Sequence, residues 1–303
     1  MSCPAITDAS AAILATAVVP WTDRLELDEE RFRREVATIA RGLTRHIYLF
    51  GTAGEGYAVT DRQFDRITAA FWQASRENDV VPMIGVISLS LPTIIERIER
   101  ARALGFRQFQ LSLPSWGPLN DRELDVFFAE TCGRFPDCHF HHYNLLRTKR
   151  LLTSVEYRRI AAAHPNFIGV KASTSDPAVI ADLLTMSPRV RFFMTEIGYA
   201  IARRTHDVGL LISLASVHYA KARAYVAGSD AERAVAVEEF RAMGATLREI
   251  SGTRLHIDGA YDKMLYKLND PDFPLRLLPP YAYATDEDFA RFRAALPPAW
   301  RQA

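Results

Sequence analysis

Residues 46–61 read HIYLFGTAGEGYAVTD, and this stretch contains one complete transition from strand to helix. The first part, 46–50, is a short and mostly apolar run, as is typical of a buried strand. A glycine-rich loop, GTAGEG (51–56), follows it, and a segment with helical spacing begins near Asp61. The stretch therefore predicts one βα unit.

The same order recurs along the whole chain. Short apolar runs predicted as strands alternate with amphipathic segments predicted as helices, and the runs occupy 13–18, 46–50, 82–87, 107–113, 138–143, 167–170, 190–194 and 209–214. A repeated βα order implies parallel pairing, and eight such units typically close into a barrel. We therefore predict an α/β fold, a (β/α)8 TIM barrel over residues 1–228, with a C-terminal helical appendage over residues 229–303.

Bulk composition restricts the class of protein. The formal net charge of +1 on 303 residues argues against nucleic acid or an anionic membrane as the main partner. No apolar run approaches the roughly 18 residues that span a bilayer. The three cysteines, Cys3, Cys132 and Cys138, form no paired framework, which favours a cytoplasmic location.

Lys171 follows the predicted strand 167–170 in the stretch FIGVKAST (167–174). It is one of only five lysines among 37 basic residues, and the only one that follows a strand-like run. A buried ammonium is costly, so the side chain either reaches solvent or a carboxylate, or gives up its proton. A neutral amine at the carboxyl end of a barrel strand could form a Schiff base with a carbonyl substrate.

Two further features are predicted at the same mouth of the barrel. Tyr143 ends the strand 138–143, where it either packs with its hydroxyl on the backbone or transfers protons, with Thr52 as its hydroxyl partner. The GTAGEG loop either is a plain turn, with glycines at positive φ, or offers free N–H groups to a carboxylate. Its place between a strand and a helix favours the second interpretation.

The stretch CHFHH (138–142) raises the question of a metal site. Strand alternation places His139 and His141 on the face of Tyr143 and places His142 on the opposite face. No further ligand has a matching spacing, and neighbouring side chains of one strand cannot close a tetrahedral site. We therefore expect no metal, and hydrogen-bonded barrel histidines instead.

Together these motifs resemble those of the dihydrodipicolinate synthase/N-acetylneuraminate lyase family of class I aldolases. GTAGE is similar to the G-T/S-T-G-E carboxylate loop of that family, YN (143–144) to its Y-N-x-P motif, and IGVKAST to its I-G-x-K Schiff-base strand. The resemblance covers nearly the whole chain. It implies a barrel with a helical C-terminal part, assembled as a homotetramer made of two dimers.

The resemblance also implies roles for individual residues. Lys171 would form the imine with the keto carbon of pyruvate or another 2-oxo acid, so that no cofactor is needed. Tyr143 would be the acid and base for imine formation and for carbon–carbon bond chemistry with an aldehyde, and Thr52 would belong to its hydroxyl relay.

Substrate binding is implied for the loop and for strand eight. The amides of Thr52 and Ala53, in the loop that continues through Gly54, would hold the carboxylate of the 2-oxo acid. Leu211 would provide an apolar wall beside the substrate.

Several positions depart from the family pattern. Ala53 replaces a threonine, Leu146 replaces the proline of Y-N-x-P, and Trp116 stands where the synthases have a relay tyrosine. An indole N–H can donate but cannot pass on a proton. In the synthases an arginine binds the carboxylate of the aldehyde substrate, and Arg147 lies one position before the place of that arginine. Arg147 either binds the acceptor or is a surface residue.

These departures argue against a true dihydrodipicolinate synthase. SWGPLND (115–121) resembles the corresponding loop of the family's hydratase-aldolases, which suggests a bulky or aromatic acceptor in contact with Trp116, Glu196 and Tyr199. Four alternatives remain: dihydrodipicolinate synthase proper, a sugar-acid dehydratase using the same imine, a catalytically silent protein that binds a 2-oxo acid, and a metal-dependent aldolase using the histidines.

Overall fold

The structure is a computed structural model that describes residues 12–187 and 189–301, so Cys3 lies outside the described residues. Eight parallel strands close into a barrel in chain order. This confirms the predicted (β/α)8 TIM barrel. The strands are β1 Ile13–Thr16, β2 His46–Leu49, β3 Val81–Gly85, β4 Gln108–Leu111, β5 His139–Asn144, β6 Phe167–Ala172, β7 Arg191–Met194 and β8 Gly209–Leu211.

Eight helices alternate with the strands, and three more follow the last strand. The first eight are α1 Glu29–Gly42, α2 Asp61–Glu77, α3 Leu91–Leu104, α4 Asp121–Phe128, α5 Ser154–Ala163, α6 Pro177–Leu184, α7 Glu196–Ala202 and α8 Tyr219–Ala227. The C-terminal helices are α9 Asp230–Ser251, α10 Asp258–Lys267 and α11 Asp286–Ala295. Helix α9 packs against α7 and α11. The division of the chain after residue 228 stays a prediction.

Local sequence explains where the helices begin. At the start of α2, the Thr60 side chain accepts a hydrogen bond from the Gln63 N–H, and the Gln63 side chain accepts one from the Thr60 N–H. This reciprocal cap satisfies backbone donors that have no partner within the helix. Pro92 occupies the first turn of α3, where its missing N–H costs nothing.

Strand β6 is longer than predicted. It pairs with β5 and with β7 as far as Ala172, so Lys171 lies within the strand, opposite Tyr143 on one side and Phe193 on the other. Backbone pairing on both edges extends the strand beyond its apolar run. In contrast, β8 ends at Leu211, three residues before its predicted end. No helix among the described residues has the length and apolarity that crossing a membrane requires.

Candidate active site

A cavity of about 450 Å³, here called the central cavity, opens at the carboxyl ends of the strands. Its walls contain five residues that the sequence analysis assigned to the site: Thr52, Ala53, Tyr143, Arg147 and Leu211. They come from strands β5 and β8 and from the loops after β2 and β5, and barrel closure brings them together. The predicted address of the site is therefore where the cavity lies.

Lys171 is completely buried directly below the central cavity. Its Nζ lies 3.4 Å from the centroid of the Tyr48 ring and 4.4 Å from that of the Tyr143 ring. Both tyrosines line the cavity, so the amine lies under its floor. Nζ also donates a hydrogen bond to Oε1 of Gln110 on β4.

Burial lowers the pKa of Lys171 well below its ordinary value, and the charges of Asp258 and Asp262 only partly oppose this effect. No carboxylate forms an ion pair with Nζ in the described residues. The interpretation that Lys171 is paired with a carboxylate therefore loses its basis. An amine with a lowered pKa has a larger neutral fraction, and only the neutral form is nucleophilic.

The Tyr143 hydroxyl lies 3.0 Å from Oγ of Ser173, and either oxygen can be the donor. Ser173 belongs to the family-like stretch IGVKAST, but the sequence analysis gave it no role. Thr52, the predicted hydroxyl partner, lines the same cavity. Burial raises the pKa of Tyr143, so its phenol keeps its proton at neutral pH.

The GTAGEG loop owes its glycines to close packing. A Cβ at Gly56 would lie 2.5 Å from the carbonyl oxygen of Phe50, and one at Gly54 would lie 2.9 Å from the Phe50 amide nitrogen. The positive φ angles of the loop region belong to Phe50 and Glu55 instead. The suggestion that these glycines supply positive φ is therefore wrong. Gly54 is packed behind the cavity wall rather than in it.

The loop presents two free backbone donors. The N–H groups of Thr52 and Ala53 have no acceptor among residues 12–187 and 189–301, and both residues line the central cavity. A buried N–H without a partner is rare in folded proteins, so a ligand oxygen or water is expected there. These two amides fit the predicted carboxylate site.

Glu55 anchors the loop from below. Its buried carboxylate accepts hydrogen bonds from Lys263 Nζ at 2.7 Å, from the Trp21 indole N–H at 2.7 Å and from the Leu278 N–H at 2.7 Å. Lys263 is likewise completely buried. This network ties the carboxylate loop of the barrel to helix α10.

Helix α10 also supplies cavity residues that the sequence analysis missed. Asp258, Tyr261 and Asp262 line the central cavity. Burial, reinforced by the charges of Asp258 and Glu196, raises the pKa of Asp262 well above its ordinary value. Arg147 donates a hydrogen bond from Nη2 to Asp258 Oδ1 at 2.8 Å, so its cation already has a partner.

Three residues proposed for the acceptor pocket lie elsewhere. Trp116 is 86% exposed and does not line the central cavity. Glu196 is buried and accepts hydrogen bonds from the N–H groups of Ser213 and Ala215, which orders the loop after β8. Tyr199 packs against Tyr225. Glu196 and Tyr199 are therefore structural, and their assignment to the pocket is wrong.

The histidines of β5 divide between two environments. His142 points outward, where its Nδ1 lies 2.7 Å from the Tyr157 hydroxyl. His141 points into the barrel against Phe193, and burial together with the Lys171 charge lowers its pKa to about 3. Neither ring nitrogen of His141 has a hydrogen-bond partner among the described residues, so the expectation of hydrogen-bonded barrel histidines is wrong for this one. Among the described residues, no group of three or more potential ligands could hold a metal ion.

Sequence patterns contained little signal for the missed residues. Tyr48 lies in the strand of the opening stretch, but only its inward direction reveals that it covers Lys171. Gln110 lies in a strand, QFQL, in which polar residues alternate with apolar ones although all four are buried, and a buried polar face could have drawn attention to it. Asp258 and Asp262 lie in a helix far along the chain, without any recognisable motif.

Comparison with known proteins gives one curated relative in two strains of Thermus thermophilus. The chain is 26% identical over 168 residues to the 4-hydroxy-tetrahydrodipicolinate synthase of the first strain, and the match covers 55% of this chain and 56% of the relative. The same figures hold for the enzyme of the second strain. The chain thus matches about half the length of these curated relatives. No protein-family model matches the chain.

Solved structures share the whole fold. A putative dihydrodipicolinate synthetase from Pseudomonas aeruginosa superposes with a TM-score of 0.80 at 18% identity, covering 94% of this chain and 98% of that one. A dihydrodipicolinic acid synthase family protein of E. coli K12 in complex with pyruvate superposes with a TM-score of 0.79 at 14% identity. The match covers 94% of this chain and 97% of that one. KD(P)GA from T. tenax superposes with a TM-score of 0.78 at 20% identity, and the match again covers 94% of this chain and 97% of that one.

Proposed function

We propose that this chain is a divergent member of the dihydrodipicolinate synthase/N-acetylneuraminate lyase family and a class I lyase of the aldolase type, which its motifs, its similarity to the Thermus synthases and its barrel fold support. Its substrates are pyruvate or a related 2-oxo acid and an aldehyde. The observation that carries the proposal is the buried Lys171 amine, enclosed by Tyr48 and Tyr143 below a cavity with free backbone donors.

The first step is formation of the imine. The carboxylate of the 2-oxo acid binds to the amides of Thr52 and Ala53, which directs the keto carbon toward the floor of the cavity. The neutral Lys171 amine turns from Gln110, attacks the keto carbon and gives a carbinolamine. Loss of water then gives the protonated imine, with the proton for the departing oxygen supplied through Tyr143.

The second step makes or breaks the carbon–carbon bond. Loss of a proton from the methyl carbon next to the imine gives an enamine, because the iminium accepts the electron pair. The enamine carbon attacks the aldehyde carbon, and the aldehyde oxygen takes up a proton to become a hydroxyl. Cleavage runs through the same steps in reverse. Tyr143, with Ser173 and Thr52 close to the reacting atoms, is the proposed proton donor and acceptor.

Leu211 and the acceptor side complete the proposed site. Leu211 is buried in a cluster with Tyr48 and Phe193, where it forms an apolar wall beside the substrate's methyl group. Leu145, Leu146 and Leu151 line the central cavity and leave room for a bulky acceptor. Trp116, the residue that favoured an aromatic acceptor, lies outside this cavity.

Borohydride trapping tests the proposal directly. The protein is incubated with pyruvate and borohydride, digested and analysed by mass spectrometry. We expect a reduced adduct on Lys171 and none on Lys263, an equally buried lysine that is ion-paired with Glu55. Lys171→Arg should abolish trapping, since arginine keeps the charge but forms no imine. No adduct with pyruvate or any other 2-oxo acid would refute the proposal and favour the silent alternative.

Assembly and location are also proposals. The family resemblance supports a homotetramer made of two dimers, and the cysteine usage supports the cytoplasm. One structural neighbour is described as a monomeric dihydrodipicolinate synthase variant, with a TM-score of 0.79 at 16% identity. The oligomeric state therefore requires sedimentation analysis of this chain itself.

A further inference from the structure

A second cavity of about 440 Å³, here called the side cavity, adjoins the central cavity. The two share Thr52, Leu145 and Arg147 in their walls. The side cavity extends from there toward the loops after β3 and β4, where Ser88 and Ser115 line it. A molecule bound at the floor of the central cavity therefore has space for a second group in this direction.

Two hydroxyl groups of the side cavity have no hydrogen-bond partner. Ser112 is only 4% exposed, and its Oγ has no partner in the described residues. The same is true of the Tyr57 hydroxyl. Both residues line the cavity. An unpaired buried hydroxyl is unfavourable, so a ligand that supplies partners for both would be favoured.

The side cavity offers no free charge. Arg147 is the one charged residue among its described lining residues, and Asp258 already forms an ion pair with it at 2.8 Å. Arg147 Nη2 also donates to the carbonyl oxygen of His256 at 3.1 Å. A carboxylate or phosphate entering here would be buried without a free cation, which is unfavourable.

Apolar side chains form another part of the wall. Ile87, Leu113 and Ile257 line the side cavity next to the hydroxyl-bearing residues. This mixture suits a carbon chain that carries hydroxyl groups, because its C–H faces pack on the aliphatic side chains while its hydroxyls meet Ser112 and Tyr57. An aromatic ring would leave both hydroxyls unpaired.

Resting on the function proposed above, we propose that the side cavity binds the substituent of the acceptor, and that the acceptor is an uncharged, hydroxylated aldehyde. Ser112 and Tyr57 determine this specificity through hydrogen bonds to the hydroxyl groups of the acceptor.

The test compares acceptors that differ in one property, with pyruvate as the donor. Glyceraldehyde and propanal have the same three-carbon chain, with and without hydroxyls, while glyoxylate carries a carboxylate and benzaldehyde an aromatic ring. For the unmodified protein, kcat/KM for glyceraldehyde should exceed that for each of the other three by about tenfold or more. Only glyceraldehyde can form hydrogen bonds through its hydroxyl groups with both Ser112 and Tyr57.

Variants assign the preference to the side cavity. Ser112→Ala and Tyr57→Phe should each reduce the ratio of kcat/KM for glyceraldehyde over propanal by about three- to tenfold. Ser251→Ala is the matched control, because Ser251 is also a buried serine with an unpartnered hydroxyl but lies in α9 and lines neither cavity. Its ratio should equal that of the unmodified protein.

The outcomes separate this inference from the proposed function. If pyruvate is trapped on Lys171 while propanal, benzaldehyde or glyoxylate matches glyceraldehyde, or none of the four reacts, the acceptor assignment is wrong and the Schiff-base function stands. An unchanged ratio in both Ser112→Ala and Tyr57→Phe would equally overturn it. Failure of trapping itself refutes the proposed function first.

Discussion

The Nζ atom of Lys171 lies 3.4 Å from the centroid of the Tyr48 ring, with Gln110 as its hydrogen-bond acceptor. The amine is therefore held below the cavity floor, and Lys171 is completely buried. Burial at this position lowers the pKa of the amine, and the same burial has a measurable cost in stability.

Lys171→Met should stabilise the protein at neutral pH. The folded-state pKa of Lys171 is depressed, so the unfolded chain binds an extra proton between the folded pKa and the unfolded value of about 10.4. Stability of the unmodified protein must then rise with pH across this range. We expect Lys171→Met to raise Tm by about 2 °C or more at pH 7. This gain in Tm should shrink toward pH 10. Calorimetry of both proteins across the pH range measures it. A gain that stays constant with pH would contradict the depressed pKa.

Gly56→Ala should disrupt the carboxylate loop. The new Cβ would lie 2.5 Å from the Phe50 carbonyl oxygen, a backbone atom that cannot move aside easily. We expect an increase in KM for pyruvate of about tenfold or a loss of roughly 1–3 kcal/mol in stability, measured by kinetics and urea unfolding. Gly117→Ala is the control, since nothing lies within 4 Å of its Cβ position. Equal behaviour of both variants would argue against the packing explanation.

Lys263→Met should destabilise the fold strongly. It removes the cation that pairs with Glu55 at 2.7 Å and leaves a buried carboxylate without it. The expected loss in the free energy of unfolding is about 3–5 kcal/mol. The double variant Glu55→Gln/Lys263→Met should recover part of this loss, because it removes the stranded charge as well. If the double variant is no more stable than Lys263→Met, the charge is not the cause.

Asp258→Asn should change the response to acceptor charge. The substitution removes the carboxylate that neutralises Arg147 and leaves a free cation between the two cavities. We expect kcat/KM for glyoxylate to rise about three- to tenfold relative to glyceraldehyde, a modest factor because the pair is partly exposed. Asp262→Asn is the comparison variant, since Asp262 does not pair with Arg147, and it should give no such rise. A rise in both variants would indicate a general effect of cavity charge.

Local patterns predicted the secondary structure well, but they misjudged strand ends. Helix α2 begins at Asp61, as predicted, because a capping residue and apolar spacing are encoded nearby. Strand β6 exceeds its prediction because pairing with β5 and β7, and not its own apolar run, decides where it stops. Glu196 was misassigned for a related reason: its position after a strand resembled a site, but its carboxylate serves the loop after β8.

The sequence by itself determined the order of the eight βα units and placed Lys171, Tyr143 and the GTAGEG loop at one end of the barrel. Those features depend on apolar spacing and strand ends, which are local. Tertiary structure alone brought Gln110, 61 residues away, to the Lys171 amine and Asp258, 111 residues away, to Arg147. Such contacts arise from barrel closure and from the docking of α10, and no periodicity along the chain encodes which polar side chains then meet.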